Sequence, residues 1–303
     1  MDSLIEKIQK LKKERNAVIL AHNYQLSEVQ DIADFTGDSL DLSRRAAQSD
    51  AAVIVFCGVH FMAETAAILA PGKKVLLPEK NAGCPMADMI TAAKLRELKK
   101  ENPGALVVSY VNTTAEVKAE TDICCTSANA EKILRTLSGR KVIFVPDRNL
   151  GSYASSKAGC EMIIYDGYCH VHSRILAQHI KDAKHKHPKA EVVAHPECNP
   201  DVSALADKVL STSGMLEYAA SSKSSEMIIA TETGILHRLR KENPLKKFYP
   251  ALELAVCSNM KKTSLEKVLW ALEEMRYEIK VDPVIAEKAK ISIDKMLEYS
   301  RSE

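Results

Sequence analysis

The stretch Gly167-Tyr168-Cys169-His170-Val171-His172 places one thiol and two imidazoles within four residues, directly after an apolar run from Met162 to Tyr165. Cys84 lies 85 residues before this cysteine and Cys257 lies 88 residues after it. Three cysteines spaced almost evenly suggest a repeated unit that delivers one thiolate per copy. Thiolates favour zinc, copper or an iron–sulfur cluster. Three protein ligands rather than four leave one coordination position open, which a Lewis-acid catalyst needs and a structural metal does not. Spacing alone leaves zinc and a cubane cluster equally open, and a cubane on three cysteines has one substrate-accessible iron.

The elements that position these residues repeat. Apolar strands read at Ala17 to Ala21, Ala105 to Ser109 and from Val192, ending in His22-Asn23-Tyr24, Tyr110-Val111-Asn112 and His195-Pro196-Glu197. His22, Tyr110 and His195 are separated by 88 and 85 residues, as are Tyr24, Asn112 and Glu197, and Ser39, Ser127 and Thr212. Wholly apolar strands mark a parallel sheet covered on both faces, and such sheets bind ligands beyond their carboxyl ends. A period near 86 matches a small α/β domain rather than a solenoid. The sequence therefore predicts an α/β protein of three repeats with parallel sheets, whose polar strand ends face a common centre around a pseudo-threefold axis. The expected domains are 1–86 together with closing helices in 264–303, then 87–171, then 172–263.

Ser39, Ser127 and Thr212 each precede a predicted helix, whose N-terminus suits carboxylate or phosphate. Taken singly each reads as an ordinary helix cap; their common register argues for a site. The register also makes Cys169 one of three equivalent arms and removes His170 and His172 from the ligand list. His172 stays as a substrate contact or a residue orienting a ligand. Cys57, Cys124, Cys125 and Cys160 sit in or beside apolar strands and read as buried thiols, and Cys198 has no equivalent in the other copies.

The chain has 303 residues and a formal net charge of +2. That balance argues against a general nucleic-acid or membrane-surface binder. No apolar stretch reaches the length of a membrane span, and residues 1–16 lack the apolar core of a secretion signal. A cytoplasmic location is expected, where eight cysteines are ligands or buried thiols rather than a disulfide framework.

The chain resembles the quinolinate synthase family over essentially its full length. The resemblance is carried by His22-Asn23-Tyr24-Gln25, Gly37-Asp38-Ser39-Leu40, Asn81-Ala82-Gly83-Cys84-Pro85-Met86-Ala87, Tyr110-Val111-Asn112 and Thr126-Ser127-Ala128-Asn129-Ala130. It continues through Pro146-Asp147-Arg148-Asn149-Leu150-Gly151, Cys169-His170-Val171-His172, His195-Pro196-Glu197-Cys198, Ser211-Thr212-Ser213-Gly214-Met215, Thr231-Glu232-Thr233-Gly234 and Cys257-Ser258-Asn259-Met260. Tyr165-Asp166 stands where many members have Trp-Pro, which touches strand packing and no ligand.

The resemblance implies three α/β/α domains around a pseudo-threefold axis and a [4Fe-4S] cluster held by Cys84, Cys169 and Cys257, with one open iron acting as a Lewis acid. It implies a transferase-type dehydrating condensation of iminoaspartate with dihydroxyacetone phosphate to quinolinate, in NAD biosynthesis. Phosphate and water are released, and an aspartate-oxidising enzyme is the expected supplier of iminoaspartate. On that reading Glu197 is the candidate general base, with Tyr24 and Tyr110 as hydroxyl donors or relays and His195 beside them. His22 and His195 orient and neutralise the carboxylates of iminoaspartate. Ser39, Ser127, Thr212, His172 and the edges Tyr110-Val111-Asn112 and His195-Pro196-Glu197 complete the substrate site. Two other classes compete: a zinc-dependent aldolase or hydrolase on the same thiolates, and an iron–sulfur sensor. The sensor would need an output module, and no basic helix or extra domain offers one.

Overall fold

A computed structural model describes residues 2–300. The chain runs through the same eight elements three times. The first pass is α1 (Asp2–Glu14), β1 (Ala17–His22), α2 (Ser27–Ile32), β2 (Phe35–Gly37), α3 (Ser39–Gln48), β3 (Val53–Cys57), α4 (His60–Leu69) and β4 (Lys74–Leu76). The second is α5 (Ala92–Glu101), β5 (Leu106–Tyr110), α6 (Ala115–Ala119), β6 (Ile123–Cys125), α7 (Ala130–Thr136), β7 (Val142–Val145), α8 (Arg148–Ala158) and β8 (Met162–Ile164). The third is α9 (Ala177–Lys186), β9 (Glu191–Ala194), α10 (Pro200–Ala204), β10 (Lys208–Val209), α11 (Thr212–Ser221), β11 (Glu226–Ala230), α12 (Ile235–Glu242) and β12 (Lys247–Pro250). Two helices close the chain, α13 (Leu265–Glu274) and α14 (Pro283–Tyr299).

Each pass makes one four-stranded sheet with its own strands in the order second, first, third, fourth. All the strand pairings are parallel. This order follows from the sequence. The first and third strands of each sheet are almost wholly buried: Val18 to His22 and Val53 to Cys57 in the first sheet, Val107 to Tyr110 and Val142 to Val145 in the second. Such strands need cover on both faces, which the helices supply. The chain reverses direction across the sheet between the first and third strands, and at that switch point a crevice opens beyond their carboxyl ends.

A repeated carboxylate fixes the register. Asp34, Asp122 and Asp207 each stand before the second strand and accept the backbone N–H of Ile19, Val107 and Val192 in the first strand, all at 2.8 Å. The amide of each aspartate bonds back to the carbonyl of the same residue, at 2.9, 3.1 and 2.8 Å. Each pair satisfies two backbone groups that the strand start would otherwise leave unpaired.

β2, one of two edge strands of its sheet, covers Phe35–Gly37, which the sequence presents only as a link of mixed polarity. Its tie to β1 rather than its own composition makes it a strand. The closing helices pack in different places. α13 lies on α1 and β3, whereas α14 lies mainly against α6 and β6 and touches α4 and α7.

Candidate active site

The carboxyl ends of the three sheets meet at one cavity, the kind of crevice in which such sheets bind small molecules. Its wall includes Cys84, Cys169 and Cys257 together with His22, Tyr24, Ser39, Tyr110, Asn112, Ser127, His172, His195, Glu197 and Thr212. Val111 and Pro196 are buried in the segments that carry these residues and do not line the cavity. His170 lines the wall beside Cys169.

The three cysteines arrive on equivalent arms after the fourth strands. Backbone N–H groups two and three residues on, those of Met86 and Ala87, Val171 and His172, and Asn259 and Met260, favour the thiolate form of each sulfur. Short 3-10 turns at His172–Arg174 and Met260–Lys262 follow two of the arms. Gly167 permits the approach of the Cys169 arm to β7, because a Cβ there would collide with the Pro146 carbonyl oxygen. Burial, helped by the neighbouring Cys257 thiol, pushes the Cys84 thiol up to about 12, and burial raises Cys169 and Cys257 as well. The three cysteines are half-buried in the cavity wall, and bringing three thiolates together there calls for a strong positive centre. The nearby Lys261 ammonium is already committed to Glu232 at 3.0 Å.

The spacing of the sulfurs tests which centre fits. Cys84 is within electrostatic reach of both Cys257 and Cys169. Yet among the described residues the only set of three ligand atoms all within 4.8 Å of one another is Cys169, His172 and Glu197. A single tetrahedral zinc would draw three sulfurs to about 3.8 Å from one another, given Zn–S bonds of roughly 2.3 Å. At least one pair of the three sulfurs therefore stands farther apart than a single zinc ion would hold them.

Next to the cysteines runs a chain of close polar contacts through Tyr24, Thr231, His172, Glu197 and Tyr110. The Tyr24 hydroxyl lies 2.5 Å from Thr231 Oγ1, and Thr231 Oγ1 lies 2.7 Å from His172 Nε2. His172 Nδ1 is 2.8 Å from Glu197 Oε2 and 3.2 Å from Cys169 Sγ. Tyr110 donates its O–H to Glu197 Oε1 at 2.6 Å. Thr231 Oγ1 can accept from Tyr24 and donate to His172 Nε2, which leaves the His172 Nδ1 proton facing Glu197 Oε2 and Cys169 Sγ. Burial pushes the Glu197 carboxyl up, but His172, His195 and the Tyr110 hydroxyl outweigh it and hold the group well below the ordinary glutamate range. Burial and the Glu197 charge raise both tyrosines far above their usual value, so each remains a protonated donor at rest.

His22 and His195 occupy equivalent places and are held alike. Each Nδ1 accepts the backbone N–H two residues on, Tyr24 at 3.1 Å and Glu197 at 3.3 Å. An accepting Nδ1 leaves the proton on Nε2. Burial lowers the pKa of both to about 3. Burial thus keeps them neutral N–H donors, and the charge neutralisation expected of them requires proton uptake with the substrate.

The helix starts also depart from simple capping. Asp38 caps α3 by accepting from Leu40 and Asp41, and Ser211 caps α11 by accepting from Gly214. Ser39 and Thr212 are thus the first helical residues, and Thr212 Oγ1 accepts from the Asn23 side chain at 3.0 Å. Ser127 precedes Asn129, which stands at the start of α7. Among the described residues none donates to the buried Asn112 Oδ1, which leaves an acceptor in the cavity wall for a donor that a ligand would bring.

Sequence reasoning did not assign roles to Thr231, Glu232, Asp38, Phe61 or Met260. Thr231 stands in register with Gly58 and Pro146, neither of which has a hydroxyl, so the repeat carries no signal for it. Asp38 was visible only as part of the segment before α3.

A family profile described as "Quinolinate synthetase A protein" matches residues 6–298. The chain is 58% identical over 294 residues to the quinolinate synthase of Dehalococcoides mccartyi, covering 97% of each chain. It is 55% identical over 297 residues to that of Pelobacter propionicus, covering 98% of each. It is 52% identical over 300 residues to quinolinate synthase 2 of Methanosarcina acetivorans, covering 99% of this chain and 97% of the relative.

Proposed function

Since the chain belongs to the quinolinate synthase family, we propose that it condenses iminoaspartate with dihydroxyacetone phosphate to quinolinate, releasing phosphate and water, for NAD biosynthesis. The observation that carries this reading is the meeting of three cysteine arms and the polar ends of three sheets in one cavity. Both substrates are small molecules, and among the described residues no helix is long and apolar enough to cross a membrane. An aspartate-oxidising enzyme remains the class of reaction expected to supply iminoaspartate.

The residues fit a [4Fe-4S] cluster on Cys84, Cys169 and Cys257, whose fourth iron would offer a Lewis acid to a substrate hydroxyl, carboxylate or nitrogen. The remaining work falls to side chains. His22 and His195 present Nε2–H donors to carboxylate oxygens. The hydroxyls of Ser39, Ser127 and Thr212 add neutral hydrogen bonds at two helix starts, and Asn112 Oδ1 accepts from an imine or hydroxyl hydrogen. Ring closure needs protons removed beside a carbonyl and delivered to leaving oxygens. Tyr24 can receive a proton from substrate while passing its own through Thr231 to His172, and can return it by the same path. Glu197 stabilises the imidazolium so formed and holds the Tyr110 hydroxyl toward the cavity. Because its carboxyl is held low, Glu197 acts through the His172 pair rather than as a free base. That refines the role expected for it.

Anaerobic reconstitution with iron and sulfide, followed by an assay with the two substrates, tests the proposal. Quinolinate formed only by the reconstituted protein supports it. A protein that carries the cluster and converts neither substrate defeats it.

A further inference from the structure

Each cysteine arm returns toward the end of the third strand of its sheet, and two of the three are tied there by a buried carboxylate. After β7, Asp147 Oδ1 accepts the Leu150 N–H at 2.6 Å, capping α8, while Oδ2 accepts the N–H of Cys169 at 3.2 Å. After β11, Glu232 Oε2 accepts the Gly234 N–H at 2.7 Å where α12 begins, while Oε1 accepts the N–H of Cys257 at 3.0 Å. Both side chains are almost completely buried. They stand 85 residues apart, the offset of the second and third repeats. The equivalent residue of the first repeat is Val59, which has no acceptor. There the tie is made by backbone alone, His60 N–H to the Ala82 carbonyl at 2.8 Å.

We propose that Asp147 and Glu232 are positioning residues for the metal centre: each bridges a helix start to the amide of a cysteine and so fixes the direction of its sulfur. The Cys84 arm has no such carboxylate bridge to its cysteine amide. The inference rests on the cluster reading given above. A carboxylate suits the task because it has two accepting oxygens and no donor. Asparagine or glutamine would turn an NH₂ toward an N–H. Serine at 147 can still cap α8, but its single short-reaching oxygen cannot also hold the amide of Cys169. Asp147 does not line the cavity, so its effect cannot pass through substrate contact.

The test uses the full-length, cluster-loaded protein under anaerobic conditions, with iron release to a ferrous chelator and the electron paramagnetic resonance spectrum of the reduced cluster as readouts. D147S is compared with wild type and with T91A, which removes the side-chain cap of α5 on the exposed surface. D147S is expected to release iron about 10- to 100-fold faster, the usual effect of losing a residue that orients a metal ligand. Its spectrum should change, and T91A should match wild type in both readouts. E232Q, which leaves the α8 cap intact, should move both readouts in the same direction and gives the answer should D147S not fold. Wild-type release rates and spectra in D147S or E232Q overturn the inference, as does equal acceleration in T91A. Failure of the wild-type protein itself to hold iron and sulfide defeats the cluster reading, and this inference with it.

Discussion

Replacing Thr231 by valine keeps the volume of the side chain and deletes one oxygen. That oxygen stands between the Tyr24 hydroxyl at 2.5 Å and His172 Nε2 at 2.7 Å, so the proton path from cavity to Glu197 is cut at one atom. The stability cost comes from two buried partners left without a hydrogen bond, at about 1–3 kcal/mol per group. Both Tyr24 and His172 line the cavity and the valine fills the volume of the threonine, so the low end of that range is expected and the variant should fold. The catalytic cost is larger. Positioned general acid–base groups contribute roughly 10²- to 10⁴-fold, and a serial relay broken at one member loses the whole of it. Thr231 does not line the cavity, so kcat should fall at least ~10²-fold while KM moves only a few-fold. T231S, which restores the hydroxyl, should recover most of the rate. Steady-state quinolinate formation by T231V, with Tm as the folding control, decides the matter. A kcat close to wild type, or a loss confined to KM, would refute the relay.

Glu197→Gln should retain iminoaspartate binding and lose turnover by ~10²-fold or more; unchanged turnover removes Glu197 from the relay. Cys84→Ser, Cys169→Ser and Cys257→Ser should each strip the visible absorption of the cluster from anaerobically purified protein, and a triple variant that still assembled it would end the three-thiolate assignment. His22 and His195 ionise near 3 when folded against about 6.5 when unfolded. The unfolded chain thus binds more protons between those values, and stability falls as pH drops below 6.5. By pH 5 the loss is about 2 kcal/mol for each histidine, seen as a lower urea midpoint at pH 5 than at pH 7. Buried Asp38 and Asp147, whose pKa values burial raises, shift stability the other way, so the test is the difference between variants. H195Q should lose about 2 kcal/mol less than wild type between pH 7 and pH 5, and a pH dependence identical to wild type would contradict the buried neutral state. Gly167→Ala should lower Tm, at about 1–3 kcal/mol for forced overpacking, and reduce cluster content; normal values for both would show that the Cys169 arm has room to spare.

Much of this organisation is legible in the sequence because the repeat preserves chemical class at fixed offsets. His22, Tyr110 and His195 announce the ends of the first strands, and Ser39, Ser127 and Thr212 the starts of the next helices. What the repeat does not conserve stays hidden. Thr231 has glycine and proline as its counterparts, and its part depends on a contact with Tyr24 across 207 positions. The capping roles of Asp38 and Ser211 could be separated from those of Ser39 and Thr212 only with the helix starts fixed. β2 was obscured because the Asp34 tie to β1, rather than composition, holds it in the sheet. Val111 and Pro196 belong to the right segments but turn away from the cavity, a distinction set by backbone direction beyond the strand end.

On the function proposed above, three thiolates from three repeats hold a cubane cluster whose fourth iron is left for substrate. Mössbauer spectroscopy of protein reconstituted with isotope-enriched iron, recorded before and after adding quinolinate, tests it most directly. The account predicts a cubane signal in which about one quarter of the iron, the site without a cysteine, shifts when quinolinate binds. Four irons that ignore the ligand, or a protein that carries stoichiometric zinc and no sulfide, would contradict it.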